Sequence, residues 1–400
     1  MRHYSALLLL GLILLSLTFS AFAQTDSTPT PDVLATAESY IATRAVTSPT
    51  PNYPASVTAV VATLDAQATQ TEEAIERATN GELTYLEISN DGFARILSET
   101  LQTGEIISLA GSLFMSEDYG TIIFTNGLAP HSWSPNGRYL VYSNPLPNDY
   151  AILTLDTVSG QRTVIEDAIL PVWSPDSSML AFMSLESNSS QTSLEIIDVD
   201  GNNRRTLLDE NIYLPLWNSE TGIIVLRESD STMVLVSPET GDLTVLPIPQ
   251  ESVHQQWSAD RTQLLYTTLS EGYQIYDVSI YNFQTETSET ILENIELNQI
   301  FQDVIFDADG EQIIVALEGQ IRVYSINAPE EYEILYEHPD EGTDISHLNL
   351  SLLGDRLTFT AFNDSQNNVF ISVYVMDIDG SNVQQIGDDD TYHVAPIWRP

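Results

Sequence analysis

Lysine and cysteine are both missing from the 400 residues: all 13 basic side chains are arginine, set against 57 acids. Without thiols there is no cysteine nucleophile, no disulfide and no thiolate metal centre, and without lysine there is no Schiff base and no P-loop lysine. A formal charge of −44 at pH 7 excludes nucleic acid as a ligand, because binding a polyanion requires basic side chains that displace its counterions. The same charge opposes anionic lipid headgroups and suits basic or cation-bridged partners. Charged residues make up only 18 % of the chain and apolar types 42 %, enough to bury a core.

Residues 1–23 read as a secretory signal, with Arg2 and His3 ahead of an apolar run from Ala6 to Leu17 and the small-x-small ending Ala21-Phe22-Ala23. The alternative is a retained single-span anchor, since Leu7 to Phe22 is nearly long enough to cross a bilayer. Cleavage before Gln24 leaves no stable membrane insertion and an extracytoplasmic product, secreted, periplasmic or at the cell surface. Residues 24–55 are rich in Thr, Pro and Ser and read as a disordered linker, plain or carrying sugars. In residues 56–80 a weak apolar stripe through Val57, Val60, Val61, Leu64, Ala68 and Ile75 predicts a short helix or further linker, stopped by Asn80-Gly81.

Residues 81–400 repeat. His131-Ser-Trp-Ser-Pro-Asn-Gly-Arg-Tyr-Leu-Val-Tyr142 and Pro171-Val-Trp-Ser-Pro-Asp-Ser-Ser-Met-Leu-Ala-Phe182 share an aromatic anchor, a Ser-Pro-Asx turn and an apolar strand. The anchors recur at Trp133, Trp173, Trp217, Trp257, Phe306, Leu350 and Trp398, spaced 40, 44, 40, 49, 44 and 48 residues apart. Each anchor ends a strand that must reverse at once, since Pro fixes one backbone angle and Asn, Asp or Gly accepts the unusual one that follows. A third strand ending in a turn such as Asp198-Val-Asp-Gly201 or Asp377-Ile-Asp-Gly380, then a fourth such as Arg205 to Leu208, complete each period. Four antiparallel strands per repeat without helix predict an all-β propeller.

The wording Trp-Ser-Pro-Asn-Gly and Asp-Ile-Asp-Gly resembles the TolB-type, WD40-like propeller repeat over roughly Glu82 to Pro400. The resemblance implies binding more often than catalysis: TolB is a periplasmic scaffold for partner proteins, while related propellers precede peptidase domains or underlie sugar lyases. Neither a Gly-x-Ser-x-Gly elbow nor a His-Glu-x-x-His pair is present. Val394-Ala-Pro-Ile-Trp398 is a first strand without its successors, so the ring is expected to close with strands from both termini, making six full units and one composite, seven blades. Candidate strands at Leu83 to Ile88, Phe93 to Glu99, Glu105 to Leu109, Leu113 to Ser116 and Thr121 to Thr125 exceed the three required, so six blades with an N-terminal addition is the alternative.

Four of the six histidines precede anchors. His254, His347 and His393 stand an odd number of places before theirs and are grouped on one face as a candidate metal set; His131, offset by two, is placed apart. The Asp-x-Asp pairs at Asp198, Asp307 and Asp377 raise calcium or another divalent cation, with a plain turn as the commoner use. Asp388-Asp389-Asp390 reads as a solvated charge run. No catalytic residue is singled out. The sequence is read as a secreted, non-catalytic propeller that binds or scaffolds proteins, the alternative being a carbohydrate-active lyase or hydrolase with a divalent metal in its channel.

Overall fold

The computed structural model describes Arg77 and residues 80–400, except 90–92, 115–130, 144–149, 186–190, 219–221, 251, 271–274, 298–302, 318, 366–367 and 388–390. The expected signal and linker, the strand at Thr121 to Thr125 and the Asp388 to Asp390 run lie outside the described residues. Of the 56–80 segment only Arg77 and Asn80 are described, both helical. The Gly81 N–H donates to the Arg77 carbonyl at 2.9 Å with φ +70° at Gly81, the left-handed cap that ends a helix.

Seven four-stranded antiparallel sheets form the blades of a propeller. Blades 1 to 6 take four consecutive strands each, opening with His131–Trp133, Ala168–Trp173, Ile212–Asn218, Ser252–Trp257, Val304–Phe306 and Asp344–Leu350. Blade 7 is composite: Tyr392–Trp398 pairs antiparallel with Glu82–Ile88, followed by Phe93–Thr100 and Glu105–Phe114. Glu105–Phe114 is one strand, not the two expected at Glu105 to Leu109 and Leu113 to Ser116. The N-terminal block therefore supplies the three strands a seventh blade needs, and the six-bladed alternative falls.

Each blade is covered on both faces. The middle strands accordingly read as unbroken apolar runs, such as Leu180-Ala-Phe-Met183 and Ile223-Ile-Val225, where a half-exposed sheet would alternate. Seven apolar clusters result, one per blade seam, and every anchor lies in the seam with the preceding blade. Three indoles also donate across it: Trp133 Nε1 to Thr84 Oγ1 (2.9 Å), Trp173 Nε1 to the Ser132 carbonyl (3.2 Å) and Trp398 Nε1 to the Asn349 carbonyl (3.2 Å). Where the anchor is Phe306, its backbone N–H takes the role and donates to Gln256 Oε1 at 2.8 Å.

The turn after the anchor is a small hydrogen-bonded cage. In blade 2, Ser174 Oγ donates to Asp176 Oδ1 (2.6 Å) and accepts the Met179 N–H (2.9 Å). Blade 1 repeats this with Ser134, Asn136 and Tyr139, and blade 4 with Ser258, Asp260 and Gln263. In blade 6 the acid sits two places further on: Ser351 Oγ donates to Asp355. At the rim, the turn between third and fourth strands meets the outermost strand of the blade before. Gly380 (φ +81°) lies so close to the Leu335 carbonyl that a side chain there would collide with backbone.

A feature with no counterpart in the letters recurs inside the first strands. Leu170, Leu214, His347 and Ala395, each three residues before an anchor, have φ between +52° and +56°. There the pairing slips: Ile169 faces Met183 but Val172 faces Ala181, so two residues oppose Phe182. The same slip sets two residues against Val225, Phe359 and Tyr85, all buried. These are β-bulges, which sharpen strand twist. A left-handed non-glycine residue costs about 1 kcal/mol, and it recurs at the same place in four blades, in each case opposite a buried side chain.

Arg399 locks the closure. Its guanidinium donates to Glu82 Oε1 (2.8 Å), the Gly137 carbonyl (2.7 Å) and Thr157 Oγ1 (2.9 Å), and stacks over Trp133 at 4.3 Å. Arg77 Nε then holds the Pro400 carbonyl at 2.9 Å. Removing residues 391–400 is expected to open the ring and lower the melting temperature sharply. Arg399→Ala alone should cost about 2 kcal/mol. Thermal unfolding of both variants decides, and a truncated protein that melts like the parent rules out closure by this strand.

Candidate functional site

Of the histidines singled out in the sequence, His131, His347 and His393 are buried on the first strands. His131 pairs with Tyr142 across the strand, and both its ring nitrogens are enclosed with no hydrogen-bond partner among the described residues. Burial pulls its pKa down to about 4, the Thr84 backbone acts against this, and His347 lowers it further. His347 is itself a bulge residue; Nδ1 lies 2.9 Å from Ser346 Oγ, Nε2 is enclosed without a partner, and burial lowers its pKa to about 4. His393 Nε2 lies 3.1 Å from Thr391 Oγ1 and 3.8 Å from Glu87 Oε2, with its ring edge-on to Tyr85 at 5.4 Å. Glu87 also receives Arg95.

The bulge revises the expected grouping. Counting places back from an anchor gives a face only if the strand is regular, and the extra residue inverts the count. With one residue removed for the bulge, His254 and His393 stand an even number of places before their anchors, as His131 does. His254 pairs with Tyr266 as His131 pairs with Tyr142, whereas His347 occupies the bulge itself. The His254 side chain lies outside the described residues. Among the described residues no three His, Asp or Glu side chains are arranged as a metal-binding group.

In the Asp-x-Asp turns the carboxylates of Asp198, Asp200, Asp307, Asp377 and Asp379 are engaged by their own loops. Asp198 accepts Asn203 Nδ2 and Asp200 the Asn202 N–H; Asp377 accepts Asn382 Nδ2 and Asp379 the Ser381 N–H and hydroxyl. Asp307 takes the N–H groups of Glu311 and Gln312. These donors hold Asp200 and Asp379 below the usual carboxylate range.

Two further features were not picked out in the sequence. A polar cleft of ≈ 320 Å³ on blade 2 is lined by Ser184, Gln191, Thr192, Ser193, Glu195, Thr206 and Asp209, with Arg204 bonded to Glu195 and Ser184. Its residues come from three strands and the positions just beside them, Gln191 and Asp209, and share no motif. His338 stacks on Phe370 at 5.5 Å, with Tyr336 and Tyr374 edge-on, and burial lowers its pKa.

Seven four-stranded antiparallel blades make this a β-propeller, with the Trp-Ser-Pro-Asx wording in blades 1 and 2. No family model and no curated protein matches the sequence. Solved structures match in fold. One comes from a structural and mechanistic study of two prolyl endopeptidases (TM-score 0.55, 14 % identity, 85 % of this chain and 56 % of that one). A second is oligogalacturonate lyase in complex with manganese (TM-score 0.53, 12 % identity, 72 % of this chain and 86 % of that one). TolB from Acinetobacter baumannii follows at TM-score 0.49 and 14 % identity, over 80 % of this chain and 67 % of that one. Identities this low show a shared propeller fold alone.

The two enclosed imidazoles predict an acid-sensitive fold. His131 and His347 have folded pKa values near 4, below the unfolded 6.5, so between those limits the unfolded chain binds more protons. Stability is then intact above pH 6.5 and falls as pH drops towards 4, by at most roughly 3 kcal/mol per ring. Glu99, whose pKa burial raises, acts in the opposite sense. Denaturant midpoints from pH 7 to 4.5 should show the loss. A double variant, His131→Leu with His347→Asn, should flatten it, and an unchanged slope would count against this assignment.

Proposed function

We propose that the protein is an extracytoplasmic, non-catalytic propeller that binds other proteins. The observation that carries this reading is the local engagement of the polar groups a channel site would need. His393 Nε2 is within hydrogen-bond distance of Thr391 and His347 Nδ1 of Ser346, and Asp198, Asp200, Asp307, Asp377 and Asp379 are engaged by their own turns. The signal-like residues 1–23 and the linker after them support an exterior location. No helix among the described residues is long and apolar enough to cross a membrane.

A second reading, a carbohydrate-active lyase or hydrolase using a divalent metal on His254, His347 and His393, has one specific observation in its favour: Nε2 of His347 is enclosed and unbonded. The residues fit a metal only in part, since His393 would have to exchange its present hydrogen bond for a ligand bond. Elemental analysis separates the readings, combined with melting curves in chelator, calcium, manganese and zinc and an assay for unsaturated product from oligogalacturonate. The binding reading expects no stoichiometric metal, no cation-dependent shift and no product. Metal that is lost in His347→Asn together with product formation would overturn it in favour of the enzyme.

A further inference from the structure

The outermost strands of blades 4 and 5 are neighbours, equally long and similarly acidic, yet they treat their apolar residues differently. In blade 4 the strand Thr287–Glu296 exposes Glu289, Glu293 and Glu296 and buries Ile291 and Leu292. That is the usual defence of a sheet edge: charge outside, nothing apolar to attract a second strand. In blade 5 the strand Ala328–Glu337 exposes Glu330, Glu331 and Glu333 as well, but leaves Tyr332 50 % and Ile334 45 % exposed between them.

We propose that this edge of blade 5 is a docking site for an extended segment of a partner protein in which lysine or arginine alternates with apolar residues, deepening the protein-binding reading on which it rests. Tyr332 faces Tyr324 and Ile334 faces Arg322 across the sheet, while Glu333 faces Val323. Successive residues point to opposite sides of a strand, so Glu331 and Glu333 charge one side, and Tyr332 and Ile334 form an apolar strip on the other. The strip is ordered: Tyr332 packs on Tyr324 at 5.4 Å and under the Arg322 guanidinium at 4.5 Å. The turn carrying Gly380 abuts the Leu335 carbonyl, so the open stretch is Glu330 to Ile334. A strand added there would pair main chain with main chain, set its cations against the glutamates and lay its apolar side chains on Tyr332 and Ile334. The chain's own charge of −44 disfavours a second copy as occupant and draws a basic one.

The test uses the full chain and a synthetic peptide of alternating lysine and valine, with two controls: the same composition in separate blocks, and the alternating peptide N-methylated at every second amide. At physiological salt the alternating peptide should bind about tenfold tighter than the block peptide, and N-methylation should abolish that advantage. Tyr332→Ser and the pair Glu331→Gln, Glu333→Gln should remove it too; the melting temperature of the glutamate pair should not change, and that of Tyr332→Ser should fall only slightly, through the lost contacts with Tyr324 and Arg322. Glu289→Gln with Glu293→Gln in blade 4 should leave it intact. Equal affinity of alternating and block peptides, or an equal loss from the blade 4 pair, would overturn the proposal and reduce the effect to bulk charge. A protein partner that still binds Tyr332→Ser and the Glu331, Glu333 variant normally would remove this edge while leaving the binding reading standing.

Discussion

The anchor at the end of each first strand is the contact on which the rest of the propeller depends. A four-stranded blade has two apolar faces and cannot bury either by itself. The anchor places a large apolar side chain in the seam with the preceding blade, and in three blades its indole N–H finds an acceptor on that blade's inner strands. Trp133, Trp173 and Trp398 do this at seams 7/1, 1/2 and 6/7. Two of those seams, 7/1 and 6/7, flank the composite blade, where covalent continuity gives the least help. Elsewhere the device relaxes: Trp257 keeps the volume but leaves Nε1 unbonded among the described residues, and Leu350 is only half-buried. A seam inside a continuous chain tolerates that loss, because neighbouring blades are tethered and the cost of bringing them together is already small.

Scarce cations follow the same logic. With 13 arginines among 57 acids, simple exposed ion pairs would contribute little, and many of the arginines instead reach across seams to backbone carbonyls. Arg162 reaches Leu109, Arg204 reaches Glu166, Arg205 reaches Pro238 and Arg399 reaches Gly137. Each such bond satisfies a carbonyl at the rim or turn face and joins two blades. A lysine has one point charge where arginine has a fork of donors, which is consistent with a chain that uses arginine alone for its bases.

Much of the fold was legible in the sequence, and the reason is physical. Period, anchors and Ser-Pro-Asx turns persist because a reversal directly after a buried aromatic admits few residues, and Ser174, Asp176 and their counterparts make the same bonds in several blades. Closure could be read from the unmatched strand ending at Trp398. The bulges could not. Leu170, Leu214, His347 and Ala395 take left-handed angles without the glycine or asparagine that normally signals them, so the letters at these positions carry no mark of the bulge. That hidden insertion shifts the parity of the count from the anchor for His254 and His393, and it equally conceals any site on the first strands from a count of residues. The blade 2 cleft, assembled from separate strands, had no signal at all.

Burial on both faces also limits where a binding function can reside. Inner and middle strands carry the seam clusters, so a substitution there is felt first as lost packing, and the turns after the anchors are filled by their own hydrogen bonds. What remains free to vary is the loop ends and the outermost strands, whose side chains reach solvent without breaking a seam. Negative charge spread over such a rim keeps the molecule soluble and attracts basic partners at long range but does not select among them. Selection needs shape or register, and an edge strand supplies register through its main chain. The outer strand of blade 4 buries its apolar residues behind its glutamates; that of blade 5 keeps the glutamates and leaves Tyr332 and Ile334 outside. Charge alone would be served equally by either strand, so on the proposed reading the exposed apolar area beside the charge is what separates the blade 5 edge from that of blade 4.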